Sequence, residues 1–171
     1  IPLVGAALLF LLRPKNAMVR NLLVMVTALL TSAMVAVCLF TPGDHGIVLL
    51  RLSTLLTVSF KLDGLGRIFS GMVALLWPLS TLYAFEYMAH EGGEKRYYAL
   101  YLATLGALMG LCFAGSIITF YMFFEAMTLL TMPMVMHSGK KDAVAAGIKY
   151  LIYSVLGASL VLLLLRLMGI I

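Results

Sequence analysis

The sequence predicts an all-α, polytopic transmembrane bundle of about six helices, and three observations predict it. Charged residues are 11% of the 171, against about 25% in a soluble domain, too few to cover a soluble surface of this size. Hydrophobic residues make up 63%, and the mean hydropathy is +1.09. The apolar residues fall in successive runs close to the roughly 20 residues that a bilayer core of about 30 Å requires. Short polar turns separate those runs.

The first run covers about 1–12 and begins abruptly at Ile1, as if its start were missing; no small-residue cleavage site of a signal peptide follows it. "RPKNAMVR" is a basic turn with Pro14. A second helix spans about 21–40 and stops at "TPGDHG", a strong turn signal. Residues 47–60 are apolar but carry Arg51 and several β-branched or hydroxyl residues, so a strand pair and a surface helix both fit their periodicity. A third helix covers about 64–86, with Asp63 placed to cap it. "HEGGEKR" reads as a polar loop. A fourth helix at about 97–114 and a fifth at about 117–137 are joined by the very short "AGS", which predicts an antiparallel pair. After "SGKKDA" a sixth covers about 144–165 and ends at Arg166. On the fourth helix, Gly106, Gly110 and Ala114 recur every four residues, a spacing that lets helices approach closely.

The net charge of +5 has a topological origin rather than pointing to nucleic acid, because the cations sit at the ends of apolar runs. Arg13, Lys15 and Arg20 lie in the first loop, Lys95 and Arg96 in the third, and Lys140 and Lys141 in the fifth. The other side has Arg51 and Lys61 in one long loop and none in the fourth loop. Positive charge on the cytoplasmic side therefore puts the odd loops inside, the N-terminus outside, and the protein in a cell's cytoplasmic (inner) membrane. Cys38 and Cys112 lie within apolar runs with no ligand spacing; they read as packing thiols, and the sequence implies no metal site and no cofactor.

One residue breaks the apolar pattern. Between Arg96 and Lys140 the formally charged residue is Glu125, in "TFYMFFEAMTLLTMPMVM". It stands twelve residues before His137, about 18 Å along a helix and well inside hydrocarbon. An ionisable group at that depth costs roughly 2.5–3.5 kcal/mol and as a rule faces the bundle interior, a cation or water. Burial favours the neutral carboxyl and a nearby cation favours the carboxylate. A glutamate between the two can take up and release a proton, which is what ion translocation needs.

The neighbouring residues outline a polar track. Tyr121 and Thr128 share the face of Glu125. Pro133 cannot donate to the Leu129 carbonyl, which predicts a kink and a hydrated backbone group one turn away. Lys149 in the sixth helix stands about 8–9 Å below the cytoplasmic edge. It is either a water-bridged partner of Glu125 or a lysine snorkelling to the surface. Tyr153 and Ser154 lie beside it and extend the possible path. His137 reads as an interface residue at the helix end, with access of protons as its other reading.

Three stretches resemble a known family. "FKLDGLGRIFSGMVALLWPLSTLYAFEYM", "ITFYMFFEAMTLLTMPMVMHS" and "AGIKYLIYSVLGASLVLLL" resemble the third, fifth and sixth helices of the antiporter-like, proton-conducting membrane subunits of respiratory complex I, Mrp sodium/proton antiporters and energy-converting membrane hydrogenases. The resemblance covers roughly residues 60–165, the N-terminal part of such a subunit. It implies that Glu125 matches the family's fifth-helix glutamate, one of a chain of buried charges and waters that carries protons. The later-helix lysines that complete that chain in the family have no counterpart here. It also implies neighbouring membrane subunits as partners, and protons, with or without sodium exchange, as the cargo. Any redox centre would belong to another subunit.

Two rival readings remain. In one, the chain is a structural or assembly subunit whose Glu125 bonds a neighbouring helix. In the other it is a substrate-carrying transporter, for which Pro133 is a lone hint. "HEGGE" lacks the second histidine of a zinc-protease helix, and His90, Glu91 and Glu94 read as a solvated loop.

Overall fold

The computed structural model describes residues 1–12, 14, 16–41, 46–51 and 57–169. The elements run α1 (Pro2–Leu12), α2 (Ala17–Phe40), β1 (Ile47–Arg51), β2 (Thr57–Phe60), α3 (Gly64–Glu91), α4 (Glu94–Cys112), α5 (Ile117–Val135) and α6 (Lys141–Leu167). Six helices form the bundle, and the ambiguous 47–60 segment is an antiparallel strand pair, with Ile47 opposite Phe60.

Caps explain where the helices begin. Asp63 Oδ1 accepts from the Gly66 amide at 2.6 Å, as its position suggested. Asn16 accepts from the Met18 amide at 3.0 Å, so α2 starts four residues earlier than its apolar run. Arg20 therefore belongs to α2, not to the preceding turn. The polar loop expected at "HEGGEKR" shrinks to two residues. α3 continues to Glu91, Gly92 and Gly93 take positive φ of 77° and 67°, and α4 starts at once with Glu94. Two glycines in the left-handed region reverse the chain where side-chain-bearing residues would be strained.

α4 is the centre of the bundle. Tyr98, Leu102 and Leu105 are almost fully buried, and α4 packs against α1, α5 and α3, while α2 lies on α3. The Gly106–Gly110 pair serves two neighbours. A Cβ on Gly106 would run into Leu3 of α1, and one on Gly110 into the Phe123 ring of α5. Four helices among the described residues are long and apolar enough to cross a membrane: α2, Gly64–His90 of α3, α5 and α6. The apolar runs alone predict six spans. The eleven residues of α1 extend only about 16 Å, and α4 opens with Glu94, Lys95 and Arg96 and buries its aromatic face against its neighbours. The outer faces of the long helices carry exposed Leu, Ile, Met and Phe, such as Leu29, Leu75, Met122 and Leu163, as a lipid-facing surface would.

The two ends of the bundle differ. At one end Arg20 of α2 reaches Glu94 and His137 reaches the Gly92 carbonyl, so the α1–α2, α3–α4 and α5–α6 turns lie together. At the other end β2 docks on the α4–α5 turn. The Lys61 amide donates to the Phe113 carbonyl and the Gly115 amide to the Ser59 carbonyl, both at 2.8 Å. The Ser59 amide donates to Thr119 Oγ1 at 3.0 Å.

Candidate ion-translocation site

Ser116 caps α5, its hydroxyl accepting from the Thr119 amide at 3.2 Å, and α5 then runs unbroken through Pro133 to Val135. Glu125 lies about 12 Å from the first residue and about 15 Å from the last. It is at mid-helix, and its Oε1 is buried with no hydrogen-bond partner. A buried carboxylate oxygen left unpaired is costly.

The flank of Glu125 is the seam between α5 and α6. Thr128 is almost fully buried, and its Oγ1 pairs with Ser154 Oγ at 3.1 Å. One turn before Glu125, the Tyr121 hydroxyl lies close enough to interact with both Glu125 and Ser159. One turn beyond Thr128, Thr131 Oγ1 pairs with the Tyr150 hydroxyl at 3.1 Å. Between Ser154 and Ser159, α6 presents Gly157 and Ala158, small residues that help to line a cavity of about 440 Å³ with Tyr121, Phe124 and Val161. The helices close tightly at the other end of the seam, where a Cβ on Gly147 would meet Met136.

Residues 52–98 match the family model described as the N-terminus of chain 5 of NADH-ubiquinone oxidoreductase (complex I). Residues 114–170, which include Glu125 and the whole of α6, match the one described as the transmembrane region of NADH:quinone oxidoreductases and Mrp antiporters. The chain belongs to the antiporter-like membrane subunits of the complex I and Mrp superfamily. A stretch of 76 residues, 44% of this chain, is also 32% identical to a probable K(+)/H(+) antiporter component of Rhizobium meliloti (strain 1021). That stretch spans only 8% of the relative's length. Members of this superfamily work within multi-subunit membrane complexes.

Not every polar residue singled out in this antiporter-like protein gathers at Glu125. Tyr121, Thr128 and Ser154 do. Lys149 is exposed, on the side of α6 turned away from α5, whereas Tyr153, also exposed, lines the cavity shared with Tyr121, Phe124 and Ser154. The α5-facing positions of α6 are Gly147, Leu151, Ser154 and Ala158, and Lys149 lies about 200° around the helix from Gly147 and Leu151. His137 holds two turns together: its Nε2 donates to the Gly92 carbonyl at 2.8 Å, and its ring meets Tyr97 edge-on at 5.6 Å. Glu94, expected in a solvated loop, is largely buried and ion-paired with Arg20. Thr131, Tyr150 and Ser159 join the site although their sequence positions alone do not single them out. A signal for them exists, because in an antiparallel hairpin turning near Lys140 they fall opposite Tyr150, Thr131 and Tyr121 respectively.

Proposed function

We propose that this protein moves protons across a cell's inner membrane within a multi-subunit complex, with Glu125 as the group that takes up and releases them. The observation that carries the reading is the buried, unpaired Glu125 Oε1 at mid-helix, beside a seam of hydroxyls. The relative's name adds potassium to sodium as an exchanged cation, and one carboxylate among hydroxyl oxygens suits such hard cations. Tyr121, Thr128 and Ser154 are the auxiliary polar groups. Lys149 acts from the far side of α6, so any influence on Glu125 runs through water rather than a direct pair, and Tyr153 lines the cavity beside Tyr121. His137 holds the turn at the end of α5, and Pro133 leaves the Leu129 carbonyl available to water. The basic loops face the cytoplasm in this reading and the N-terminus lies outside.

The test is cation-dependent proton movement by the assembled complex in proteoliposomes, wild type against Glu125→Gln, with assembly checked on a native gel. Assembled but inactive complex supports Glu125 as a transport group. Transport at the wild-type rate would make the glutamate a packing residue and the chain a scaffold.

A further inference from the structure

The polar groups around Glu125 are arranged with a direction. Toward the start of α5, the seam beyond Tyr121 and Ser159 is walled by Ile117, Phe120, Val161 and Leu165, and it offers a proton no hydroxyl. The next hydroxyls that way, Ser116 and Thr119, are committed to the hairpin: Ser116 Oγ donates to the Thr57 carbonyl at 2.5 Å and Thr119 Oγ1 accepts from the Ser59 amide. Toward the end of α5 the hydroxyls continue. Thr128 with Ser154 comes first, then Thr131 with Tyr150. Beyond them lies the turn where Ser138, Gly139, Lys140 and Lys141 are exposed. Glu125, Thr128 and Thr131 follow one another at three-residue steps, about 4.5 Å of rise each. A hydroxyl pair and one water bridge such a step.

We propose that the proton reaches Glu125 from the basic end of the bundle along this α5–α6 seam, with Thr131 and Tyr150 as its outer pair and Thr128 and Ser154 as its inner pair. The proposal rests on Glu125 being the proton-handling group. Each hydroxyl both donates and accepts. A proton arriving on the Tyr150 oxygen displaces that group's own proton to Thr131. The same exchange passes through water to the Thr128–Ser154 pair, and the last proton ends on the Glu125 carboxylate. Every hydroxyl is restored and nothing is oxidised or reduced. At rest the Thr131 hydroxyl donates to the Thr128 carbonyl at 3.1 Å and accepts from Tyr150, and it passes its proton inward by turning from that carbonyl to the water before the Thr128–Ser154 pair.

The experiment measures proton movement by the assembled complex in proteoliposomes for Thr131→Val, Thr131→Ser, Tyr150→Phe, the Thr131→Val/Tyr150→Phe double variant and Glu125→Gln. Tyr150→Phe removes a single oxygen at a partly exposed position and keeps the ring, so it remains informative where Thr131→Val impairs assembly. The expected result is a fall of about tenfold in rate for Thr131→Val and for Tyr150→Phe, the kinetic equivalent of one lost hydrogen bond. Thr131→Ser keeps the hydroxyl and recovers the rate. The double variant is no slower than either single one, because both lie on one route. Wild-type rates in Thr131→Val and Tyr150→Phe beside an inactive Glu125→Gln would overturn the route and leave the role of Glu125 standing. Wild-type transport in Glu125→Gln would overturn both.

Discussion

Arg20, in the first turn of α2, is buried and forms an ion pair with Glu94, the first residue of α4. Its guanidinium also lies 5.3 Å from the centre of the Tyr98 ring, and its Nε donates to Asn21 Oδ1 at 3.2 Å. Removing one partner of such a pair strands the other charge, which costs about 3–5 kcal/mol when both are fully buried. Glu94 retains some contact with water, so Arg20→Met or Glu94→Met alone should cost about 2–3 kcal/mol. The double variant should recover most of that loss, since an apolar pair leaves no stranded charge. Thermal unfolding of the four proteins in one detergent measures the cycle. Equal, additive losses would mean that the pair contributes nothing as a pair.

Pro78 lies inside α3 and has no amide hydrogen to give to the Ala74 carbonyl. Ser32 of α2 supplies one, its Oγ donating to that carbonyl at 2.6 Å, with the Ala28 carbonyl of its own helix at 3.1 Å. The α2–α3 contact thus has a polar tie at the point where the proline interrupts the α3 ladder. Ser32→Ala should destabilise the protein by about 1–2 kcal/mol. In the Pro78→Ala background, where the helix again provides its own donor, the same change should be close to neutral. A loss of equal size in both backgrounds, read by unfolding in detergent, would show that Ser32 acts independently of the proline.

The helices and their lipid-facing composition are legible in the sequence because length, hydropathy and caps such as Asp63 are local properties. Glu125 is legible for a related reason: one carboxylate in the otherwise uncharged stretch between Arg96 and Lys140 stands out without any knowledge of its neighbours. What escapes depends on pairing across helices. "HEGGEKR" looks solvated by composition, yet Glu94 finds Arg20 from a distant segment of the chain. Lys149 stands about 9 Å shallower than Glu125, a gap that water can bridge, but depth along a helix does not fix the side it faces, and the tight contact of Gly147 with Met136 turns Lys149 outward. Thr131 and Tyr150 are unremarkable until the α5–α6 register makes them a pair.

Gly110 is where α4 accepts the ring of Phe123, and a Cβ there would overlap it. Phe123 in turn meets Phe60 of β2 edge-on, with ring centres 5.6 Å apart, so the ring links α4, α5 and the hairpin. Gly110→Ala should therefore destabilise by about 1–3 kcal/mol through overpacking. Combining it with Phe123→Leu, which frees space on the same contact, should recover part of the loss. Gly157→Ala is the control, since a Cβ there meets nothing within 4 Å. The three changes can be ranked by melting temperature, and a Gly110→Ala protein as stable as Gly157→Ala would refute the close contact.

The arrangement of the ends makes a prediction about sidedness. Lys95 and Lys140 lie at the end where α3–α4 and α5–α6 turn, whereas Lys61 lies at the hairpin end, its amide bonded to the Phe113 carbonyl just past α4. The 19 residues of α4 separate these ends by about 28 Å, close to the thickness of a bilayer core. With Cys38 and Cys112 replaced by alanine, single cysteines at positions 95 and 140 should react with a membrane-impermeant maleimide from the same side of the membrane. A cysteine at position 61 should react only from the opposite side. If basic loops face the cytoplasm, positions 95 and 140 label in inverted vesicles and position 61 labels in intact cells. Labelling of all three from one side would contradict a bundle whose two ends lie on opposite faces of the bilayer, and the reverse assignment would invert the direction in which a proton entering at Tyr150 approaches Glu125.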